Sequence, residues 1–301
     1  MQDRGASILA KLKNKAKTLN ISYQQCLQLF FQEEYLRRLE KSPYANNFIL
    51  KGGLLIHSLT NFQSRATVDI DFLSKSLPNK ARQMNKIIKE ILSVQTGYND
   101  IVILESGKTE PIAMQMKYPG VRTQIVGCIK KVRLPFNIDI VIGDVVPRLE
   151  KRIIKTQLEG FDAPKILTYP LESTIAEKFE AMLQRLELSS RMKDFYDVYY
   201  ISRTFDFEGQ QLQEALSQTF QNRKTLFEAD SLDRILRLAD NPSTQVRWRY
   251  FQKTIQENQS LSEIMQTLDI FLRPICEAII SGTKLTKSWK AKSQKWKLKS
   301  G

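Results

Sequence analysis

The chain has 301 residues, of which 42% are hydrophobic and 26% are charged, a composition ordinary for a globular protein with room for two domains. Lysine and arginine outnumber aspartate and glutamate by 46 to 32, and the formal charge of +14 favours a polyanionic partner. The apolar runs are too short for a membrane span, and no signal peptide is evident. Three scattered cysteines and a single histidine argue against disulfide frameworks and zinc sites. We therefore expect a cytoplasmic protein without a membrane partner.

The first predicted elements are two helices separated by a short apolar run. Residues 22–40 have the apolar spacing of an amphipathic helix, with Ser22 as its N-cap. The run FILK then leads into Gly52-Gly53 and the helical segment LLIHSLTNF. We expect His57 in that segment to be a packed structural residue, as an isolated histidine in an apolar helix usually is.

The chain then becomes rich in strands. Residues 67–73, TVDIDFL, alternate as a strand does, and Pro78 stands near the start of the helix that follows. Further strand-like segments are DIVILES, PIAMQMKY, VRTQIVGCIKK and FNIDIVIGD. This order predicts a mixed α and β domain with antiparallel hairpins in its second half.

After Pro147 the periodicity becomes helical, with successive amphipathic segments up to about residue 281. We place the domain boundary between 148 and 165. The predicted organisation is an α/β domain with an N-terminal helix over residues 1–155, a helical domain over 156–281 and a flexible basic tail over 282–301.

Two aspartates lie one residue apart in TVDIDFL. Alternation would put Asp69 and Asp71 on the same face of a strand, where like charges repel unless a cation lies between them. Mg²⁺ prefers such hard oxygen ligands; the alternative is a pair of solvated acids on an exposed sheet face. Asp139 lies in the apolar strand FNIDIVIG, where an acid is costly to bury unless it is paired or bound to metal.

The glycine pair precedes these acids in the chain. Glycines between an apolar run and a helix let the backbone approach a phosphate closely, and the N-terminus of a helix favours anions. Gly52-Gly53 alone would be read as an ordinary tight turn. Together with three carboxylates, it suits two-metal phosphoryl transfer.

The stretch KGGLLIHSL…RATVDIDF resembles the start of the polymerase-β-like nucleotidyltransferase fold, and more narrowly the AbiEii-type toxin family, which includes the MenT toxins. In that family a Gly-Gly or Gly-Ser turn is followed by a helix, an Arg-x-Ser/Thr and an Asp-x-Asp. The segment ESTIAEKFEAMLQR…SSRMKDFYDVYYI resembles its later motifs, and the likeness extends over about residues 45–205. The matching positions are Gly52, Gly53, Arg65, Thr67, Asp69, Asp71, Glu177, Lys178, Arg191, Lys193, Asp194 and Asp197.

The resemblance implies transfer of a nucleotide from an NTP to RNA, with Mg²⁺ or Mn²⁺ as cofactor. Asp69 and Asp71 would hold the metal, with Asp139 added from the strand argument. Lys178 would contact the triphosphate, and Asp194 would be the later catalytic carboxylate. The nucleotide-binding candidates are Gly52, Gly53, Arg65, Thr67 and Lys178, and the weaker site candidates are Lys51, Glu177, Arg191, Lys193 and Asp197.

Residues of the later motifs also have structural interpretations. Glu177 and Lys178 fit ordinary surface charges of a helix. Asp194 fits an acid that stabilises a helix N-terminus, and Asp197 fits a brace to Arg191 or Lys193.

The C-terminal segment has no acid after Glu277, whereas SGTKLTKSWKAKSQKWKLKSG carries seven lysines and two tryptophans. Lysines near phosphates gain by releasing counterions, and indoles can stack on bases. A solubilising disordered tail would carry the same lysines. The RNA-binding candidates are Lys287, Trp289, Lys290, Lys292, Lys295 and Trp296.

Together these features predict an α/β (α+β) protein: a polymerase-β-like nucleotidyltransferase domain with a mixed sheet, followed by a helical domain, with NTP and Mg²⁺ in the cleft between them. We expect a toxin of a bacterial toxin–antitoxin or phage-defence system that modifies the 3′ end of RNA, by resemblance tRNA, with a cognate antitoxin as a further partner. The alternatives are an enzyme of the same fold that modifies a small-molecule hydroxyl, and an RNA-binding protein without catalysis.

Overall fold

A computed structural model describes residues 3–60, 62, 64, 65, 67–78, 80–112, 120–142, 148–186, 191–255 and 258–298. Most of the predicted strand PIAMQMKY lies outside these residues. The chain forms two compact units, Met1–Tyr169 and Pro170–Gly301. The division comes later than the boundary drawn from the sequence at 155/156, because the strand Lys165–Thr168 still pairs with the sheet of the first unit.

The described part of the first unit forms the helices α1 (Arg4–Leu19), α2 (Tyr23–Lys41), α3 (Gly52–Leu59) and α4 (Ala81–Ser93). Helix α2 confirms the predicted amphipathic helix and its cap. The hydroxyl of Ser22 accepts a hydrogen bond from the N–H of Gln25, whose side chain accepts one from the N–H of Ser22. Helix α1 was not predicted.

The strands of this unit are β1 (Phe48–Lys51), β2 (Ile70–Ser74), β3 (Ile103–Ile112), β4 (Gly120–Ile129), β5 (Val132–Ile142), β6 (Glu150–Ile153) and β7 (Lys165–Thr168). Their order in the sheet is β3-β4-β5-β2-β1-β7-β6. Strand β2 runs parallel to β5 and β1 runs parallel to β7, whereas the other neighbours are antiparallel. This arrangement confirms the predicted mixed sheet, with antiparallel hairpins in its second half.

Helix α2 packs against the sheet and carries buried charges that compensate one another. The carboxylate of Glu34 accepts hydrogen bonds from Arg37 at 2.8 Å and from Arg38 at 3.0 Å. Arg38 also donates to the carbonyls of Leu92 at 2.6 Å and Val102 at 2.7 Å. Buried charges are tolerated when they are paired and hydrogen-bonded in this way, and here they fix α2 to the segments around α4.

The described part of the second unit is mainly helical, as predicted. It comprises α5 (Leu171–Arg185), α6 (Met192–Thr204), β8 (Phe207–Glu208), α7 (Gly209–Arg223), α8 (Ser231–Leu236), a 3₁₀-helix (Arg237–Asp240), α9 (Pro242–Ile255), α10 (Leu261–Ser281), β9 (Lys287–Lys290) and β10 (Lys295–Leu298). Among the described helices of both units, none is long and apolar enough to cross a membrane.

The expectation of a flexible C-terminal tail is wrong for residues 287–298. Strands β9 and β10 form a hairpin that joins β8 in a three-stranded sheet. Trp289 is fully buried, and its indole N–H donates to the carbonyl of Ser202 at 2.6 Å. The ring of Phe271 lies 4.8 Å from Trp289 and stacks with Trp296 at 6.0 Å. These aromatic contacts supply the buried apolar surface that a lysine-rich segment otherwise lacks.

Candidate active site

The glycine turn lies directly against the acidic strand. Gly52 has φ +69, in the left-handed region that favours glycine. A Cβ added to Gly52 would overlap the carboxylate of Asp71, and one added to Gly53 would lie 2.8 Å from the hydroxyl of Thr67. Gly52 therefore meets two constraints, the turn itself and the close approach of Asp71 to the start of α3.

Asp69 and Asp71 are positioned by different means. Asp71 is the second residue of β2, whereas Asp69 precedes the strand, which begins at Ile70 rather than at residue 67 as predicted. The side-chain amide of Asn137 on β5 donates to Oδ1 of Asp69 at 3.1 Å and holds the carboxylate beside the strand. Both aspartates are half-buried.

The backbone before Asp69 is anchored by helix α2. The carbonyl of Val68 accepts hydrogen bonds from the buried side chains of Gln28 and Gln32, the latter at 2.9 Å. A buried glutamine donor without an acceptor would be costly. These two side chains therefore restrain the segment that leads into the acidic pair.

A row of charged residues crosses five strands of the sheet at the level of Asp71. Residues paired on neighbouring strands project from the same face. In sheet order the row is Glu110, Arg122, Asp139, Asp71 and Lys51. The adjacent row is apolar and consists of Pro111, Val121, Ile140, Phe72 and Leu50. The charges thus occupy one face, and Asp71 and Asp139 are the like charges that lie next to each other.

Arg122 binds the third carboxylate. Its Nε donates to Oδ1 of Asp139 at 2.7 Å, and its Nη2 donates to Oδ2 at 2.7 Å. This bond to Asp139 raises the pKa of Arg122 above its ordinary value, and the nearby charges of Asp69 and Asp71 add to the effect. All three predicted carboxylates therefore lie close enough to interact with one guanidinium.

The magnesium site of three carboxylates stays a prediction. Within the described residues, no three acids, cysteines or histidines are grouped as a metal site. Asp139 is paired with Arg122, which donates a hydrogen bond to each of its oxygens. Asp69 and Asp71 still fit Mg²⁺, which commonly takes one or two protein carboxylates and completes its shell with water and phosphate oxygens.

His57 is the packed structural residue that the sequence predicts. It is buried, and its Nδ1 lies 2.9 Å from the carbonyl of Ser64, the acceptor that a protonated Nδ1 would use. Burial lowers the pKa of His57 to about 4. The neutral ring thus holds the backbone at Ser64, and Arg65 lies near enough to affect its charge.

In the second unit, the later motif forms a compact ionic cluster between α5 and α6. The ammonium of Lys178 lies 3.0 Å from Oδ1 of Asp194 and 2.7 Å from Oδ2 of Asp197. Arg191 lies 3.1 Å from the other oxygen of Asp194. Both aspartates are almost fully buried, so Asp194 is more than an exposed acid at a helix end, and Asp197 braces Lys178.

The weaker site candidates are spread more widely. Glu177 pairs at 3.1 Å with Arg223, which also binds the nearly buried Glu180 at 2.8 Å. Lys193 is exposed on α6. In the first unit, the ammonium of Lys51 lies 4.9 Å from the ring centroid of Tyr169.

The predicted RNA-binding residues divide into two groups. Lys287, Lys292 and Lys295 are exposed. Trp289 is buried and cannot stack on a base, which corrects the role predicted for it. Of the others, Trp296 is half-buried against Phe271, and Lys290 pairs with Asp206 at 3.1 Å. Lys284 and Lys297 are also exposed and were missed.

The sequence interpretation also missed Arg122 and Asn137. A signal for Asn137 was present, because VDIDF and FNIDI carry a polar residue, isoleucine and aspartate in the same phase, and the parallel register aligns them. Arg122 gave no such signal, since its partner depends on the pairing of β4 with β5.

The mixed sheet, the glycine turn and the adjacent acids define the class of nucleotidyltransferases, and solved structures share the fold. JHP933 from Helicobacter pylori is 15% identical, with a TM-score of 0.51, covering 87% of this chain and 95% of that one. MenT4, a nucleotidyltransferase toxin from Mycobacterium tuberculosis, is 13% identical, with a TM-score of 0.52, covering 92% of this chain and 99% of its own.

The chain belongs to the AbiEii family, because residues 34–273 match the family model described as nucleotidyl transferase AbiEii toxin, type IV TA system. No curated protein matches the chain. The family confirms the resemblance stated from the motifs, and it makes nucleotidyl transfer the expected class of reaction.

Proposed function

We propose that this protein transfers a nucleoside monophosphate from an NTP to the 3′-hydroxyl of an RNA in a Mg²⁺-dependent reaction, and that tRNA is the acceptor. The observation that carries the proposal is the position of Asp71. It lies against the left-handed Gly52 at the start of α3 and beside Asp139 in the sheet. Packing alone gives no reason to bring two acids and a glycine turn together on one sheet face.

The acids supply the metal ligands in this proposal. Asp69 and Asp71 present oxygen ligands, and phosphate oxygens of the NTP and water would complete the shell. A bound metal ion would neutralise phosphate charge and make the RNA hydroxyl a better nucleophile. Asn137 orients Asp69 through the 3.1 Å hydrogen bond, so that the carboxylate does not rotate away.

The glycine turn would bind the phosphates. The N-terminus of α3 carries a partial positive charge, and a glycine at its first position allows close approach of an anion. Arg65 lies near Gly53, with a guanidinium nitrogen 3.5 Å from the position that a Cβ there would take. This places a charge-assisted donor beside the turn.

The cluster in the second unit supports a role for Lys178. Its ammonium is held by two carboxylates and is only partly exposed. In the proposal, Lys178 contacts the triphosphate, with Asp194 and Asp197 fixing its position. A purely structural role would need the ion pairs alone. Lys178→Arg keeps a positive charge beside the two buried carboxylates but changes the shape of the cation, so a loss of activity with folding kept would support contact of the ammonium with the triphosphate.

The charge distribution supports a nucleic-acid acceptor. The chain carries +14 overall, and the exposed lysines of the β9–β10 hairpin are Lys287, Lys292, Lys295 and Lys297. Lysines in such a surface bind a phosphate backbone without reading sequence. A small acceptor would not need this field, which is why RNA is preferred over a small-molecule hydroxyl.

The biological setting follows from the family. Its description as a type IV toxin–antitoxin toxin supports the proposal that the enzyme inhibits growth when unopposed and that a cognate antitoxin counteracts it. We extend this to phage defence, on the resemblance noted from the motifs.

The direct test is to incubate the protein with Mg²⁺, bulk tRNA and each of the four NTPs labelled at the α-phosphate. We expect label in tRNA with at least one NTP, and no label when EDTA is present from the start of the reaction. Asp69→Asn should abolish transfer. The matched variant Asp100→Asn, which alters an exposed acid of the same unit, should keep it.

Two outcomes would favour the alternatives. Label in a small hydroxyl compound but in no RNA would identify a small-molecule transferase. Tight RNA binding without transfer under any of the four NTPs would identify an RNA-binding protein that has lost catalysis.

A further inference from the structure

Arg122 is paired with Asp139, the third carboxylate predicted for the site. Both contacts are 2.7 Å, and the carboxylate is well shielded, with 14% of its side chain exposed against 39% for Arg122. A bidentate charge-assisted pair of this kind is stronger than a neutral hydrogen bond, and its geometry is fixed. Both oxygens of Asp139 accept a hydrogen bond from Arg122, so a cation that binds either oxygen would lie close to the positive charge of the guanidinium.

The register places Asp139 next to the proposed metal ligands. Asp139 and Asp71 are paired across the parallel strands β5 and β2, and neighbouring strands lie about 4.8 Å apart. A cation held by Asp71 would thus be within reach of Asp139 once the carboxylate is free. The guanidinium already interacts with Asp69 and Asp71 as well.

The sheet also provides a second acceptor for the guanidinium. Glu110 on β3 is paired directly with Arg122, on the side away from Asp139. The ammonium of Lys108 lies 2.5 Å from the carboxylate of Glu110, and the charges of Lys108 and Arg122 lower the pKa of Glu110. Arg122 therefore lies between two carboxylates in the row, and Glu110 offers the guanidinium a second acceptor.

We propose that Arg122 competes with the divalent cation for Asp139, so that Arg122 sets the metal affinity of the site and Asp139 becomes a ligand only when the guanidinium turns towards Glu110. This rests on the proposed function, because it takes Asp69 and Asp71 as the metal site. Arg122 acts through Asp139 and is a positioning residue.

The test is to titrate the whole protein with Mn²⁺ in the absence of NTP and to measure free Mn²⁺ from its electron paramagnetic resonance signal. Arg122→Gln removes the competitor and should tighten binding by about tenfold, as expected for removal of a charge-assisted pair. Arg122→Lys keeps the charge but not the bidentate geometry, and it should bind more tightly than wild type but less tightly than Arg122→Gln.

Two controls separate competition from general electrostatics. Arg133→Gln removes the same charge from β5, about 20 Å along the strand from Asp139, where Arg133 pairs with Glu105; it should bind Mn²⁺ as wild type does. The double variant Arg122→Gln/Asp139→Asn should bind Mn²⁺ no more tightly than Asp139→Asn alone, because the carboxylate for which Arg122 competes is absent from both. Thermal melts of each variant confirm that it is folded.

Equal Mn²⁺ affinities of wild type and Arg122→Gln would overturn the inference. It would also be overturned if Arg122→Gln tightened Mn²⁺ binding in the Asp139→Asn background, since that effect would come from the electrostatic field alone. The metal site is tested separately by Asp71→Asn. If this substitution leaves Mn²⁺ binding unchanged, the proposed metal site fails, and the inference fails with it; if it weakens binding but Arg122→Gln has no effect, the inference alone fails.

Discussion

At the scale of single residues, Gly52 combines a left-handed backbone conformation with close contact to the carboxylate of Asp71. An L-residue at φ +69 is strained by about 1–2 kcal/mol, and its Cβ would displace the carboxylate of Asp71. Gly52→Ala should therefore reduce transfer on the order of a hundredfold, because small misplacements at a reacting centre have effects of that size. The measurement is kcat/KM for labelled NTP, beside a urea unfolding curve.

The control for this prediction is Gly97→Ala. Gly97 has φ +86, and a Cβ there would meet no atom within 4 Å, so the variant has the same backbone strain without touching the site. It should lose similar stability and keep its activity. If the two variants have equal activity, the contact of Gly52 with Asp71 has no role in catalysis.

Two buried titratable residues of the first unit affect stability with opposite signs. Burial raises the pKa of Glu33 to about 7 from 4.5, so its contribution to stability is present below pH 4.5 and is lost as the pH rises through 7. Burial lowers the pKa of His57 to about 4 from 6.5, so its contribution is present above pH 6.5 and is lost as the pH falls through 4. The two effects have opposite signs between about pH 4.5 and pH 6.5, so the dependence of wild-type stability on pH does not reveal either of them.

Glu33→Gln should reveal the first effect. The glutamine cannot ionise, and its carbonyl can still accept a hydrogen bond from the N–H of Gln157, which bonds Glu33 at 3.1 Å. From pH 4.5 to pH 8, the unfolding free energy of the variant relative to wild type should rise by up to about 3 kcal/mol. Urea unfolding at several pH values measures it, and a difference that is constant with pH would contradict the assignment.

At the scale of elements, the C-terminal hairpin separates lysines that face solvent from tryptophans that form the core. Trp289→Ala should lower the unfolding free energy by about 3–5 kcal/mol, because a fully buried indole packed on Phe271 is removed. Thermal and urea unfolding would show the decrease. A change below about 0.5 kcal/mol, typical of surface positions, would mean that the hairpin does not pack as described.

The exposed lysines should instead affect RNA binding. Replacing Lys292, Lys295 and Lys297 with glutamine should leave stability unchanged and weaken tRNA binding. It should also make the salt dependence of log K shallower by about 0.7–0.9 for each phosphate that a lysine no longer neutralises. The matched variant replaces Lys11, Lys13 and Lys17, which are exposed on α1, and removes the same charge. Equal weakening in both triple variants would indicate a field of the whole protein rather than a surface on the hairpin.

The elements also show how far the sequence could be interpreted. Helix α2 and its cap followed from Ser22 and the apolar spacing, because both are local. The hairpin β9–β10 was missed, since its charge composition resembles that of a disordered tail and its burial depends on Phe271, more than ten residues earlier. The boundary at 155/156 was early for a similar reason: β7 is included by its pairing with β1, which no local pattern reveals.

At the scale of the whole molecule, the site could be predicted in its residue types but not in its pairings. The motifs indicated Asp69 and Asp71, and the strand argument added Asp139. The structure brings all three near one guanidinium. That guanidinium was not predicted, because the pairing of Arg122 with Asp139 depends on the alignment of β4 with β5. The family match extends to residue 273, well past the last motif recognised near 205, so the later helices belong to the family pattern without carrying a recognisable motif.

The most direct measurement of the central claim follows the two ends of the triphosphate. In parallel reactions with tRNA, Mg²⁺ and the preferred NTP, label at the α-phosphate should enter the RNA, and label at the γ-phosphate should leave as pyrophosphate in equal amount. Both signals should disappear in Asp71→Asn, with its thermal melt unchanged. Label from the γ-phosphate in the RNA, or transfer that survives Asp71→Asn, would contradict the account.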